Sequence, residues 1–305
     1  MSPDTFELPD VSVLAAPFYL IALAVEFVGI SLGRFRGRFE TRDAVTSVTM
    51  GAGSVVWGVA FTALTQAVLF ACYAWRLFDV PITVASIAVC FVLDDLRYYW
   101  VHRFGHESRF FWASHVVHHS SEHYNLSTAL RQTWTISGLF VLKIPPVLLG
   151  FHPGVVAFVG GLNLIYQFWI HTEAIDRLPR WFEAVFNTPS HHRVHHGVNP
   201  RYLDANYAGV FIFWDRWFGS FVPEEPTEPV RYGIVHPLGS FNPLRVAYQE
   251  WASLFRDALQ PGIGLRERWG YLFGPPGWSH DGSRATSRDL KAAWRAASPA
   301  QHAVE

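Results

Sequence analysis

Residues 94–131 read DDLRYYWVHRFGHESRFFWASHVVHHSSEHYNLSTALR and hold six of the chain's fifteen histidines. Imidazole is a natural ligand for Fe, Cu, Zn and Ni, whereas Mg and Ca prefer oxygen. His102 and His106 stand four apart, which puts both rings on one face of a helix, and His115, His118 and His119 repeat the pattern. A third set, His191, His192, His195 and His196, follows in SHHRVHH. One such pair is more often surface decoration than a ligand pair, but three clusters in one chain point to metal. Eight or more ligands exceed what one ion can use, so two ions are the economical reading. The candidate ligands are His102, His106, His115, His118, His119, His171, His192, His195 and His196. His123 and His191 rank as possible ligands only, because their neighbours already occupy the helical stripe. Structural zinc usually draws on cysteine, and Cys72 and Cys90 are far from every cluster.

Metal-bound histidines usually donate their second N–H to a carboxylate or carbonyl. Asp95 precedes His102 by seven residues and Tyr99 precedes His106 by seven, so both are candidates for that supporting role, with Glu107, Glu122 and Asp204. Other chemistries fit less well. The segment HRFGH lacks the glutamate of an HExxH zinc protease, and neither GxGxxG nor a P-loop occurs. The fragment His152-Pro-Gly is a turn rather than a haem site.

The elements that must position these residues are apolar. Half of the residues are hydrophobic and only 16% are charged, against about 25% in ordinary soluble domains. The net charge of −1 and the absence of a basic run exclude nucleic acid as a partner. Residues 11–32 are apolar except for Glu26 and lack the leader and cleavage site of a secretory signal, so a retained membrane helix is expected. After a basic loop with Arg34, Arg36, Arg38 and Arg42, residues 51–75 carry no charge. A third apolar helix from residue 82 runs through Trp100 to the first histidines. Residues 134–170, split at 150–154, predict a hairpin with two helical limbs of about 16 residues. The positive-inside rule puts the basic loop in the cytoplasm and gathers the histidine clusters on that face. The segment NYAGVFIFWDRWFGSF predicts a short interfacial amphipathic element, and residues 223–305 show no chemical motif.

The boxes HRFGH, HVVHH and HRVHH resemble those of the membrane fatty acid hydroxylase and sterol desaturase superfamily. The wording of YYWVHRFGHE, HHSSEHYNLSTALRQ, YQFWIHTE and NTPSHHRVHHGVN is most similar to its ether-lipid-cleaving branch. The resemblance covers residues 80–222. It implies an all-α, integral-membrane bundle of about three transmembrane helices plus a helical hairpin, with a histidine-rich di-metal site at the cytoplasmic face. Residues 1–79 would be N-terminal membrane helices, 80–222 the di-iron domain and 223–305 a C-terminal extension. The implied activity is a non-haem di-iron, O₂-dependent lipid monooxygenase, in which the box histidines and His171 ligate two Fe ions. His123 departs from the acidic residue of that branch. The implied reductant is tetrahydropterin in the ether-lipid branch, and cytochrome b5 or ferredoxin in others. A desaturase is the nearest alternative. A membrane metal transporter or a di-zinc hydrolase is the alternative from another class, and imidazole chemistry alone leaves iron and zinc both open.

Overall fold

The structure is a computed structural model that describes residues 8, 9, 11–136 and 138–297. Among the described residues it is all helical, with two isolated β-bridges and no strand. Helix α1 (Val11–Ser31) matches the expected first apolar segment. Its one charge, Glu26, is buried and accepts hydrogen bonds from the Leu126 amide (2.7 Å) and the Thr172 hydroxyl. Helix α2 (Thr41–Tyr73) starts ten residues before the expected 51. The Glu40 carboxylate caps it through the Asp43 amide, and its polar first turns face inward: Asp43 bonds buried Arg131 and Ser121. Val13–Ser31 and Thr41–Tyr73 are long and apolar enough to cross a membrane. Their large side chains mostly point outward, as Phe18 (71% exposed) and Val56 (74%) do.

Helix α3 (Val84–Glu107) opens with a reciprocal Thr83–Ser86 capping box and carries the chain from an apolar start to His102 and His106 without a break. The extended conformation of Ser108 then turns the chain into α4 (Arg109–His119), which packs back on α3. The hairpin differs from expectation in its first limb. That limb is a 3-10 turn, Leu139–Lys143, followed by α5 (Ile144–Leu148), only five residues. Pro145 and Pro146 remove two successive amide donors, so a long helix cannot form through them. The chain reverses at Gly150 (φ +108°), where any Cβ would collide with the Phe78 carbonyl. The second limb is α6 (Pro153–Trp169), packed on α3 around Cys90, Val155, Val156 and Val159.

Short helices α7 (Arg180–Glu183), α8 (Pro189–His195) and α9 (Phe213–Phe218) follow. Only the end of NYAGVFIFWDRWFGSF is helical, because its first half is a buried irregular loop tied down by carboxylates. The C-terminal region folds into α10 (Pro243–Ala258), α11 (Leu265–Phe273) and α12 (Ser287–Ala297). Buried Arg109 of α4 reaches Glu250 (2.8 Å), Asp257 (2.7 Å) and Ser253 (3.0 Å), which fastens α10 to the helix that carries the HVVHH box.

Candidate metal centre

Nine histidine side chains converge behind the membrane-sized helices, in two groups. His102, His106, His115, His119 and His195 form one, and His118, His171, His192 and His196 the other; within each, the facing atoms lie within 4.8 Å of one another. Helical spacing produces this division. His118 and His119 are adjacent on α4, and His195 and His196 adjacent at the end of α8, so each dipeptide sends one ring to each group. Rings of the two groups touch, His119 stacking on His196 at 4.3 Å.

The rings are aimed by backbone carbonyls. His102 Nδ1 lies 2.7 Å from the Tyr207 carbonyl, His195 Nδ1 2.9 Å from that of Ala205, and His171 Nδ1 2.7 Å from that of Gln167. A nitrogen facing a carbonyl must carry the proton, so these three rings present a bare Nε2 to their groups. Burial, reinforced by neighbouring imidazoles, pushes His102 down to about 3. Burial likewise pushes His171 to about 4 and His115, His118, His119, His192, His195 and His196 well below the ordinary histidine value. These eight rings are thereby held toward the neutral state, the one that binds metal.

The donor set tests whether a cation fits. In the first group the Nε2 atoms of His102, His115, His119 and His195 run in a chain with contacts of 3.0, 3.1 and 3.1 Å. Hydrogen bonding along such a chain requires N–H and bare nitrogen to alternate. Four atoms that begin and end bare cannot alternate, so one contact must oppose two lone pairs or two protons. His106 Nε2 and His196 Nε2 are also buried without a hydrogen-bond partner. A cation shared by the ring nitrogens removes both conflicts. The residues fit metal.

Of the supporting residues expected from sequence, Asp204 approaches a ring, at 3.6 Å from His106 Nδ1. Asp95 does not. Seven residues of helix rise about 10 Å, so sharing a face with His102 does not bring the carboxylate to the ring. Asp95 is instead fully buried and accepts hydrogen bonds from the Val210 amide (2.8 Å), the Phe211 amide (3.0 Å), Trp214 Nε1 (2.9 Å) and Asn163 Nδ2 (2.9 Å). Asp215 holds the same loop through the amides of Tyr207 (2.7 Å) and Ala208 (2.8 Å). Tyr99 bonds Ser220 and Arg103, and Glu107 pairs with Arg103. Glu122 and His123 line a separate polar cavity of about 930 Å³ beside Arg36 and Arg38. His191 lies outside both groups, with its ring against Phe221.

Sequence reasoning missed the loop carbonyls and Asp215. No spacing in the sequence marks them; in the structure Asp204 and Asn206 have positive φ (47° and 56°), a conformation Asp and Asn tolerate, and this bends the loop sharply. It also missed the wall of a second cavity, about 340 Å³, which opens on His106, His119, His195 and His196. Trp112, Val116 and Leu203 form its apolar side, and Gln249, Glu250 and Ser253 of α10 its polar side.

The fatty acid hydroxylase family matches residues 87–220, a span that contains all nine grouped histidines. The chain is 39% identical over 276 residues to an alkylglycerol monooxygenase of Xenopus tropicalis, covering 89% of this chain and 60% of that protein. With the alkylglycerol monooxygenase of Homo sapiens it is 39% identical over 285 residues, or 89% and 61%. A cholesterol 25-hydroxylase-like protein of Danio rerio is 30% identical over 149 residues, 45% of this chain and 55% of that one. The chain thus spans about 60% of the length of the first two relatives. No solved structure matches. The cavity wall supplied by α10 lies outside the matched span.

Proposed function

We propose that this chain is a membrane-bound, non-haem di-iron oxygenase that inserts oxygen into a lipid C–H bond. The observation that carries the reading is the frustrated set of buried imidazoles, divided into two groups inside the span that the fatty acid hydroxylase family matches. His102, His106, His115, His119 and His195 would hold one iron, and His118, His171, His192 and His196 the other. When bound, iron supplies O₂ reduction and the oxidant for an unactivated C–H bond. The overall change is R–H + O₂ + 2e⁻ + 2H⁺ → R–OH + H₂O, with the electrons from an external donor: a tetrahydropterin, a ferredoxin or cytochrome b5. The protein's part is positional. The carbonyls of Gln167, Ala205 and Tyr207 fix three ring planes, and the apolar side of the 340 Å³ cavity would admit a chain carbon to the first group.

The alkylglycerol monooxygenase relatives support an ether lipid as the substrate. Hydroxylation of the carbon next to the ether oxygen gives a hemiacetal, which separates into an aldehyde and an alcohol. The proposed topology has α1, α2 and residues 84–100 of α3 as crossings and residues 134–170 as a hairpin that enters and leaves on one side. The arginine-rich loop between α1 and α2 would be cytoplasmic. Glu26 and Asp43 flank that loop and bond residues beside the histidines, which supports a cytoplasmic site.

The test is metal analysis of the detergent-purified protein with O₂ uptake on alkylglycerols, sterols and fatty acyl lipids, under pterin and ferredoxin reductants. Two irons per chain and uptake on an alkylglycerol are expected. Iron with turnover on other lipids only would discard the ether substrate. Two zincs, and no uptake after iron reconstitution, would discard the oxygenase.

A further inference from the structure

Helix α10 has two apolar faces, and only one of them is covered. Val246 and Ala247 pack on Met50 of α2 and Val117 of α4, and Leu254 and Ala258 are also buried. Leu244, Tyr248, Phe255 and Leu259 recur at helical spacing on another side and remain exposed, Leu259 by 71%. Helix α11 does the same with Leu265 (77%), Trp269 (62%) and Phe273, four apart. The two stripes are joined by rings in contact: Trp269 to Phe273 at 4.9 Å, Phe273 to Phe110 at 5.5 Å, Phe110 to Trp251 at 5.1 Å and Trp251 to Phe255 at 6.1 Å.

We infer that α10 and α11 form an interfacial platform, embedded in the headgroup–acyl boundary of the same bilayer that α1 and α2 cross. The inference rests on the membrane reading above. Three observations select lipid as the occupant. The stripe adjoins α2: Tyr248 touches Trp134, whose Nε1 donates to the Met50 carbonyl (2.8 Å), and Val45 and Val48, within five residues of Met50, are exposed. Exposed Arg245, Arg256 and Arg266 adjoin the stripes, the combination of aromatic, leucine and basic residues that favours a lipid boundary. The exposed aromatic rings are of the type enriched at membrane interfaces. The platform has a consequence for access. Gln249, Glu250 and Ser253, on the turns between the exposed residues, line the cavity above His106 and His119. A lipid therefore reaches the histidines by sliding along α10 from the leaflet, with its polar end against that side of the helix.

The experiment is photolabelling of the full chain reconstituted in phosphatidylcholine–phosphatidylglycerol vesicles, with a lipid-dissolved diazirine and peptide mass spectrometry. Labelling of 244–259 and 265–273 as strong as that of α2, with α12 unlabelled, is expected. Labelled α2 with unlabelled α10 and α11 would overturn the platform. In that case a light-scattering mass of two chains would assign the stripes to a second copy, and a mass of one chain would leave them facing water. If α2 were also unlabelled, the membrane reading would fail and take the platform with it. The double variant Leu259→Glu, Leu265→Glu gives an independent readout: unchanged metal content, and loss of turnover on bilayer-held lipid but not on micellar lipid. Equal rates on both would count against the platform.

Discussion

Asp95→Ala is the most informative single perturbation. The carboxylate is fully buried and receives four hydrogen bonds, two on each oxygen, all from donors on other elements. Hydrogen bonds to a charged acceptor contribute about 1.5–3 kcal/mol each. Four would sum to roughly 6–12 kcal/mol if nothing relaxed, but the lost desolvation of the carboxylate offsets much of this, and measured losses of buried charged partners run about 3–5 kcal/mol. We therefore expect about 4 kcal/mol of destabilisation. The more specific effect is on metal. Asp95 anchors residues 210 and 211 of the loop whose carbonyls at 205 and 207 aim His195 and His102. Loss of such outer support typically weakens metal binding about 10–100-fold. Only the first group uses that loop, so one of two metal equivalents should become labile. Chelator competition on the detergent-solubilised protein, with a thermal midpoint in parallel, reads both effects. The control is Asp43→Ala, which strands buried Arg131 and should cost about 3–5 kcal/mol with both metal equivalents retained at wild-type affinity. If Asp95→Ala and Asp43→Ala lost metal alike, or if Asp95→Ala lost none, the assignment of Asp95 to ring positioning would be refuted.

Further expectations concern the histidines and the first helix. His191→Ala should keep two metals per chain, whereas His102→Ala and His192→Ala should each lose about one; equal losses in all three would undo the division into groups. Acid should destabilise the metal-free protein. Burial lowers His102 to about 3 and His171 to about 4 in the folded chain, so their contribution is complete above the unfolded value of 6.5 and fades as pH falls through that window toward 4 and 3. A thermal midpoint that stays flat from pH 7 to pH 4.5 would contradict this. Glu26→Ala leaves the Leu126 amide and the Thr172 hydroxyl buried without their acceptor and should cost about 2–4 kcal/mol, read by chemical denaturation in detergent.

The grouping of histidines was legible because helix periodicity acts over three and four residues, the same range as the spacings 102/106, 115/119 and 192/196. Adjacent histidines raised the expected ligand count but did not reveal that each pair would split. That follows from the turn of about 100° between neighbouring helical residues. The supporting residues were less legible. Three rings are aimed by main-chain carbonyls, which every residue owns and no sequence marks. For Asp95 and Tyr99 the periodicity argument gave the face of α3 and ignored the height along it. The first hairpin limb was overcounted because apolar length was weighed and the Pro145–Pro146 pair was not. The wall contributed by α10 escaped notice because its polar residues are interleaved with two apolar faces, so no spacing separates cavity from surface.

On the proposed two-metal reading, the order of the histidines along the chain also sets the order in which the two sites would be assembled during synthesis. Once residue 119 has emerged, four of the five ligands of the first group are present: His102, His106, His115 and His119. The second group then has only His118, and gains His171, His192 and His196 later. A nascent chain therefore displays one nearly complete imidazole site long before the other exists. Imidazoles bind copper and zinc at least as readily as iron, so early occupancy of the first group is decided by whichever cation is available at the ribosome. The second group gains three of its four ligands only with the segments that follow α6 and form α8, so it would take its ion later. Mismetallation should therefore be unequal, concentrated in the centre that contains His102.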